Sequence, residues 1–125
     1  MMKSFDDVYN EAVDYSVEGV LPQGAPVGVA RLSQALRAYN AIMGGGLGFA
    51  MEVIGREEFE RALEGFRYLD LGRVANLLAD LVESFGTAEY DEQKEVDLDQ
   101  LINQGDIVLD AFRRKVSAFP SDFGF

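Results

Sequence analysis

The side chains of this sequence that could do chemistry are carboxylates, and they fall into two strips. Asp7, Glu11, Asp14 and Glu18 follow one another at steps of four, three and four, a spacing that stacks them on one face of a helix. Asp91, Glu92, Glu95, Asp97 and Asp99 crowd a second stretch, and across residues 80–99 eight acids face one base, Lys94. A pair such as Asp91 and Glu95 could serve a metal-assisted hydrolysis. The run from Asp91 also puts Gln93, Glu95, Asp97 and Asp99 at the third, fifth, seventh and ninth places of a calcium loop. The loop fails at its sixth place, Val96 rather than Gly, and at its twelfth, Ile102 rather than Glu.

The chain contains neither histidine nor cysteine, which removes the usual general base, the thiolate nucleophile and the favoured transition-metal ligands. No catalytic residue, metal ligand or cofactor site is expected. Each acidic strip then reads either as an ordinary solvated face or as an anionic strip kept, against a few tenths of a kcal/mol of repulsion per pair, to meet a basic partner. A net charge of −11 over 125 residues argues against direct contact with nucleic acid or an anionic membrane. A hydrophobic content of 48% is too high for a disordered acidic chain, so the charge coats a folded body. The opening MMKSFDDVYN has no apolar signal core, and no apolar run approaches the roughly 18 residues of a membrane span. A cytoplasmic location is expected, and the lack of cysteine suits it.

The remaining candidate is the run Gly44, Gly45, Gly46 and Gly48, in the sequence GGGLG. A glycine loop ahead of a helix offers free N–H groups to a phosphate. Here no strand precedes it, no Lys–Ser/Thr pair follows, and the GxGxxG spacing is unmet. The run reads instead as a structural joint that breaks the helix and lets helix backbones approach closely.

The elements that position these residues are helical, since every periodic segment has helical spacing and none alternates as a strand does. The expected fold is all-α: a single domain over residues 1–125, an irregular bundle of about six helices with a glycine-rich joint at Gly44–Gly48. Ser4 and Asp7 cap a first helix over about 5–17. A loop over 19–28 tucks Val20, Leu21 and Val27 on the core, and a second helix runs over about 29–43. A new helix starts near Leu47 and closes at Gly55. The next segment puts Phe59, Ala62, Leu63, Phe66 and Leu69 on one face, with Glu57–Arg61 and Glu64–Arg67 spaced for exposed ion pairs. After a turn at 70–72, Val74 to Phe85 supply a broad apolar face that Gly86 ends. Asp106 caps the last helix, and Pro120 stops it. The tail 118–125 carries Phe119, Phe123 and Phe125, expected to pack on the body or on a second copy in a homodimer.

The run from Leu36 to Phe85, a helix leading into GGGLGF and followed by two amphipathic helices, resembles the bacterial DNA-mimic domain family, most of whose members are uncharacterised. Gly45, Gly46, Leu47 and Phe49 stand at its glycine pair, apolar and aromatic positions. Gly44 and Gly48 stand where the family tends to carry Asn and Gln. The resemblance implies an all-helical, non-enzymatic protein whose acidic surface imitates duplex phosphates. Its partner would be the basic surface of a DNA-binding protein or nuclease, a toxin among them. Two other readings stay open: a small carboxylate-based metal-dependent enzyme, and a structural or scaffold subunit acting through its apolar tail.

Overall fold

The computed structural model describes residues 4–125; Met1, Met2 and Lys3, part of the opening read above for a signal core, lie outside the described residues. Six α-helices follow in order: α1 Phe5–Glu18, α2 Val27–Val53, α3 Arg56–Tyr68, α4 Gly72–Ser84, α5 Glu92–Ile102 and α6 Ile107–Ala118, closed by a 3-10 turn, Pro120–Phe123. No strand occurs among the described residues. The fold is all-α, as the periodicity requires.

Helix α2 is the axis of the bundle. It packs on α1, α3, α6 and the terminal turn, while α3 passes to α4 and α4 to α5. Leu32, Leu36, Phe59, Phe66, Leu78, Leu81, Leu98 and Phe112 are among the core side chains with almost no exposed surface, and each contributes roughly 1.5–3 kcal/mol through burial. The helix ends are fixed locally. At α1, the Ser4 Oγ accepts from the Asp7 N–H and the Asp7 carboxylate accepts from the Ser4 N–H, both at 3.1 Å, a reciprocal capping box. Asp91 and Asp106 cap α5 and α6 through their side chains.

The glycine run breaks the helix as the sequence leads one to expect, but at a single residue. Two helical segments of α2 meet across a kink at Gly46, whose φ of 83° and ψ of 175° are non-helical, so Gly44 and Gly45 still belong to the first segment and the second begins at Leu47. That backbone region is open essentially only to glycine. A Cβ at Gly44, Gly46 or Gly48 would meet nothing within 4 Å, and at Gly45 its nearest neighbours would be the Cβ and ring of Phe49 in the same helix. The run is therefore not where two helix backbones need glycine in order to approach. The close crossing is at Gly65 in α3, where a Cβ would land on the Arg31 carbonyl of α2. We therefore expect Gly46→Ala to cost about 1–2 kcal/mol through its backbone strain, whereas Gly44→Ala, in an exposed helical position, raises stability by about 0.5–1 kcal/mol by restricting the unfolded chain. Thermal melting of the two variants should move in opposite directions; equal shifts would contradict the single-residue kink.

Smaller departures have plain causes. Helix α2 starts at Val27, and Gly28 in its first turn lies under Phe123. Val20 and Val27 are exposed and not tucked on the core, leaving Leu21 half-buried. Helix α4 ends at Ser84, and Gly86, directly after the Phe85 cap with φ of 78°, is the left-handed glycine stop that the sequence leads one to expect. Glu57 and Arg61 do pair, at 4.0 Å. Glu64 reaches across to Arg31 at 2.5 Å rather than to Arg67, because that bond ties α3 to α2. The tail folds back: Phe123 is buried against Phe112 and Tyr68, and Phe125 meets Phe5 edge-on at 5.3 Å.

Candidate acidic interface

Taken one carboxylate at a time, the two strips divide into acids that hold the fold and acids that do not. On α1, Asp7 is committed to the capping box and the half-buried Glu11 accepts from the Tyr15 hydroxyl at 2.9 Å. On α5, the Asp91 carboxylate accepts from the Gln93 N–H at 2.9 Å, Glu95 from the Tyr90 hydroxyl at 2.6 Å, and Asp97 from the Gln93 side-chain amide at 3.0 Å. Asp14, Glu18, Glu92 and Asp99 are exposed and have no hydrogen-bond or ion-pair partner among the described residues. The two helices pack separately, α1 on α2 and α6, α5 on α4.

The second strip gains members from its neighbour. The end of α4 and the connection to α5 bring Asp80, Glu83, Glu89 and Asp91 around one shallow depression with Lys94, whose ammonium reaches Asp80 at 3.1 Å. Four carboxylates share one cation. Asp80, Glu83 and Glu89 belong to the acid-rich stretch 80–99 in the sequence, but only the α4–α5 packing shows that they share a surface with Asp91. Farther along α5, partial burial and then the charge of Glu95 raise the Asp99 carboxyl above its ordinary value. Burial, the hydrogen bond to Glu95 and then the surrounding carboxylates push the Tyr90 phenol up. In both groups burial is the larger cause and the neighbouring carboxylates add to it.

Arg37 is the functional-looking side chain that sequence reasoning passed over, since in a helical pattern it only faces away from the apolar stripe. Its Nε donates to Glu58 at 2.7 Å, and its Nη1 donates to the carbonyls of Val17 at 2.9 Å and Ser16 at 3.3 Å. Helix α1 has no base in its last turn, so this guanidinium supplies from α2 the charge that a helix C-terminus favours.

Asp91 and Glu95, the pair considered for metal-assisted hydrolysis, each spend a carboxylate oxygen on a local hydrogen bond. Among the described residues no three acidic side chains are grouped so as to hold a metal ion, and no helix is long and apolar enough to cross a membrane. Comparison with protein-family models, with curated proteins and with solved structures finds no match.

Proposed function

We propose that this chain is a non-enzymatic binding protein that engages a basic protein surface of the kind a DNA-binding protein or nuclease presents, its carboxylates standing in for phosphates. One observation carries the reading: the surface of α4 and α5 gathers Asp80, Glu83, Glu89 and Asp91 around one lysine, and the same α5 carries the exposed Glu92 and Asp99, whose carboxylates bond no protein group among the described residues. A surface kept only for solubility gains from interspersed charge of both signs, whereas like charges held together at a cost complement a partner of opposite sign and speed its encounter. Asp14 and Glu18 on α1 extend the acidic character to a second face.

The structure selects the acids for the test. Asp7 and Asp91 are caps, and their removal to Ala costs about 1 kcal/mol, so a binding defect there would be confounded with unfolding. Asp14→Asn, Glu18→Gln, Glu92→Gln and Asp99→Asn touch no hydrogen bond among the described residues. A partner captured on the immobilised protein at about 50 mM salt and then purified should lose affinity at least about tenfold by roughly 200 mM. The fourfold variant should bind more weakly at low salt, with a flatter salt dependence and unchanged melting. Duplex DNA should compete for the same partner. An unchanged affinity and salt slope in the variant would refute the reading.

A further inference from the structure

Away from the acids, where the C-terminus of α1 meets α2 and α3, lies a small cavity of opposite character, about 40 Å³ in volume, room for a few water-sized atoms. Ser33 of α2 lines it and is 4% exposed, and its hydroxyl bonds no protein group among the described residues. No fully buried side-chain oxygen among the described residues lacks a partner, so this hydroxyl opens onto the recess instead of bonding back to a carbonyl one turn earlier, as a helical serine often does. Arg37 commits its Nε and Nη1, which leaves Nη2 without a partner at the cavity wall beside Gly19. Gln34 accepts from Arg31 with its Oε1, so its side-chain N–H groups are the part free to donate. Arg61 adds a second guanidinium, held only by the 4.0 Å approach to Glu57.

Donors therefore converge on this space, with Glu58 as the one carboxylate among them and already bonded to Arg37. Two arginines against one acid make a positive recess in a chain of net charge −11. The negative end of α1, which would repel an anion, is already covered by Arg37 Nη1. We propose that the cavity binds a small oxyanion, carboxylate or phosphate in size, which accepts hydrogen bonds from Ser33, Arg37 and Arg61 and ties α1, α2 and α3 together. Half-buried Leu21 closes the recess with an apolar wall, which a short alkyl group on a carboxylate would cover.

The test is a titration of ¹⁵N-labelled protein with sodium acetate and, separately, inorganic phosphate, against sodium chloride at matched ionic strength. The expected result is a saturable shift of the Ser33 and Gln34 amides and the Arg37 Nε–H with acetate or phosphate and not with chloride. Saturation by acetate alone assigns a carboxylate ligand, and by phosphate alone a phosphate. Ser33→Ala and Arg61→Gln should each weaken binding about tenfold or more, as loss of a hydrogen bond to a charged group does. Arg61 is half-exposed, so its variant keeps the fold even if the Ser33 variant does not. The Glu92→Gln, Asp99→Asn pair on α5, which lies outside the recess, should leave binding unchanged. Shifts that do not saturate, an equal response to chloride, or undiminished affinity in Arg61→Gln would overturn the proposal.

Discussion

Replacing Gly65 by valine is expected to lower the stability of the fold by about 3 kcal/mol, at the upper end of what overpacking a core costs. Gly65 is buried in α3 where that helix crosses α2. A Cβ there would sit on the Arg31 carbonyl, 2.9 Å from the Ala35 nitrogen and 3.2 Å from the Ala35 Cβ. These are backbone atoms and a methyl with no rotamer to change, so relief requires α2 and α3 to separate. That separation opens the packing around Phe59, Ala62 and Phe66 on α3, and the roughly 0.5–1 kcal/mol that a side chain gains over glycine in a helix cannot offset it. The midpoint of thermal unfolding should fall by about 10 °C. Gly44→Ala, which changes the same residue type on an open face, should rise slightly. A Gly65→Val melt within a degree or two of the original would mean that the crossing is loose enough to absorb a side chain.

Both glycines were visible in the sequence, and the contrast between them shows what it carries. Three glycines in a row are a strong local signal, and the helix does break among them, at Gly46; a single glycine between Ala62 and Phe66 in an amphipathic helix is a weak one, yet it marks the close crossing of α3 over α2. The helical class and most helix ends were legible because spacing and caps are local: Ser4 with Asp7, Asp106 ahead of Ile107. The extension of the first segment of α2 past Met43 to Gly45 was not, because the helical turns before it override a propensity penalty of about 1 kcal/mol per glycine.

The acidic surface was half legible for the same reason. Residue types located the charge on α1 and between 80 and 99, but not which carboxylates are free. Asp7, Glu11, Asp91, Glu95 and Asp97 are bonded within the fold; the spacing to Ser4 marks Asp7 as a cap, but nothing in the acidic spacing separates Glu11, Glu95 or Asp97 from Asp14 or Glu92. Tertiary packing alone sets Asp80 and Glu83 of α4 beside Asp91. Likewise the positive recess at Ser33 needs three elements that are distant in sequence: Gly19, Arg37 and Arg61.

The largest single effect is expected at the far end of the chain, where Phe123→Ala should cost about 3–5 kcal/mol, the range for removing a fully buried phenylalanine. Phe123 is 2% exposed and lies edge-on to Phe112, with ring centroids 5.3 Å apart. It also covers Gly28: a Cβ on that glycine would come within 2.7 Å of the Phe123 ring. Its neighbour Asp122 accepts from the Tyr68 hydroxyl at 2.7 Å, and Lys115 lies 5.0 Å over the Tyr68 ring while reaching Asp70 at 3.1 Å. The last six residues thus close the joint between α2, α3 and α6, and Phe123 is part of the core rather than an apolar arm held out to a scaffold. Phe119, 53% exposed, provides the control: its replacement by Ala should cost under about 1 kcal/mol, since little of its surface leaves water. Denaturant unfolding of the two variants should therefore separate by about 3 kcal/mol or more. Equal midpoints, or a loss of self-association in Phe123→Ala with no loss of monomer stability, would place the tail outside the core and restore the reading in which it serves a second chain.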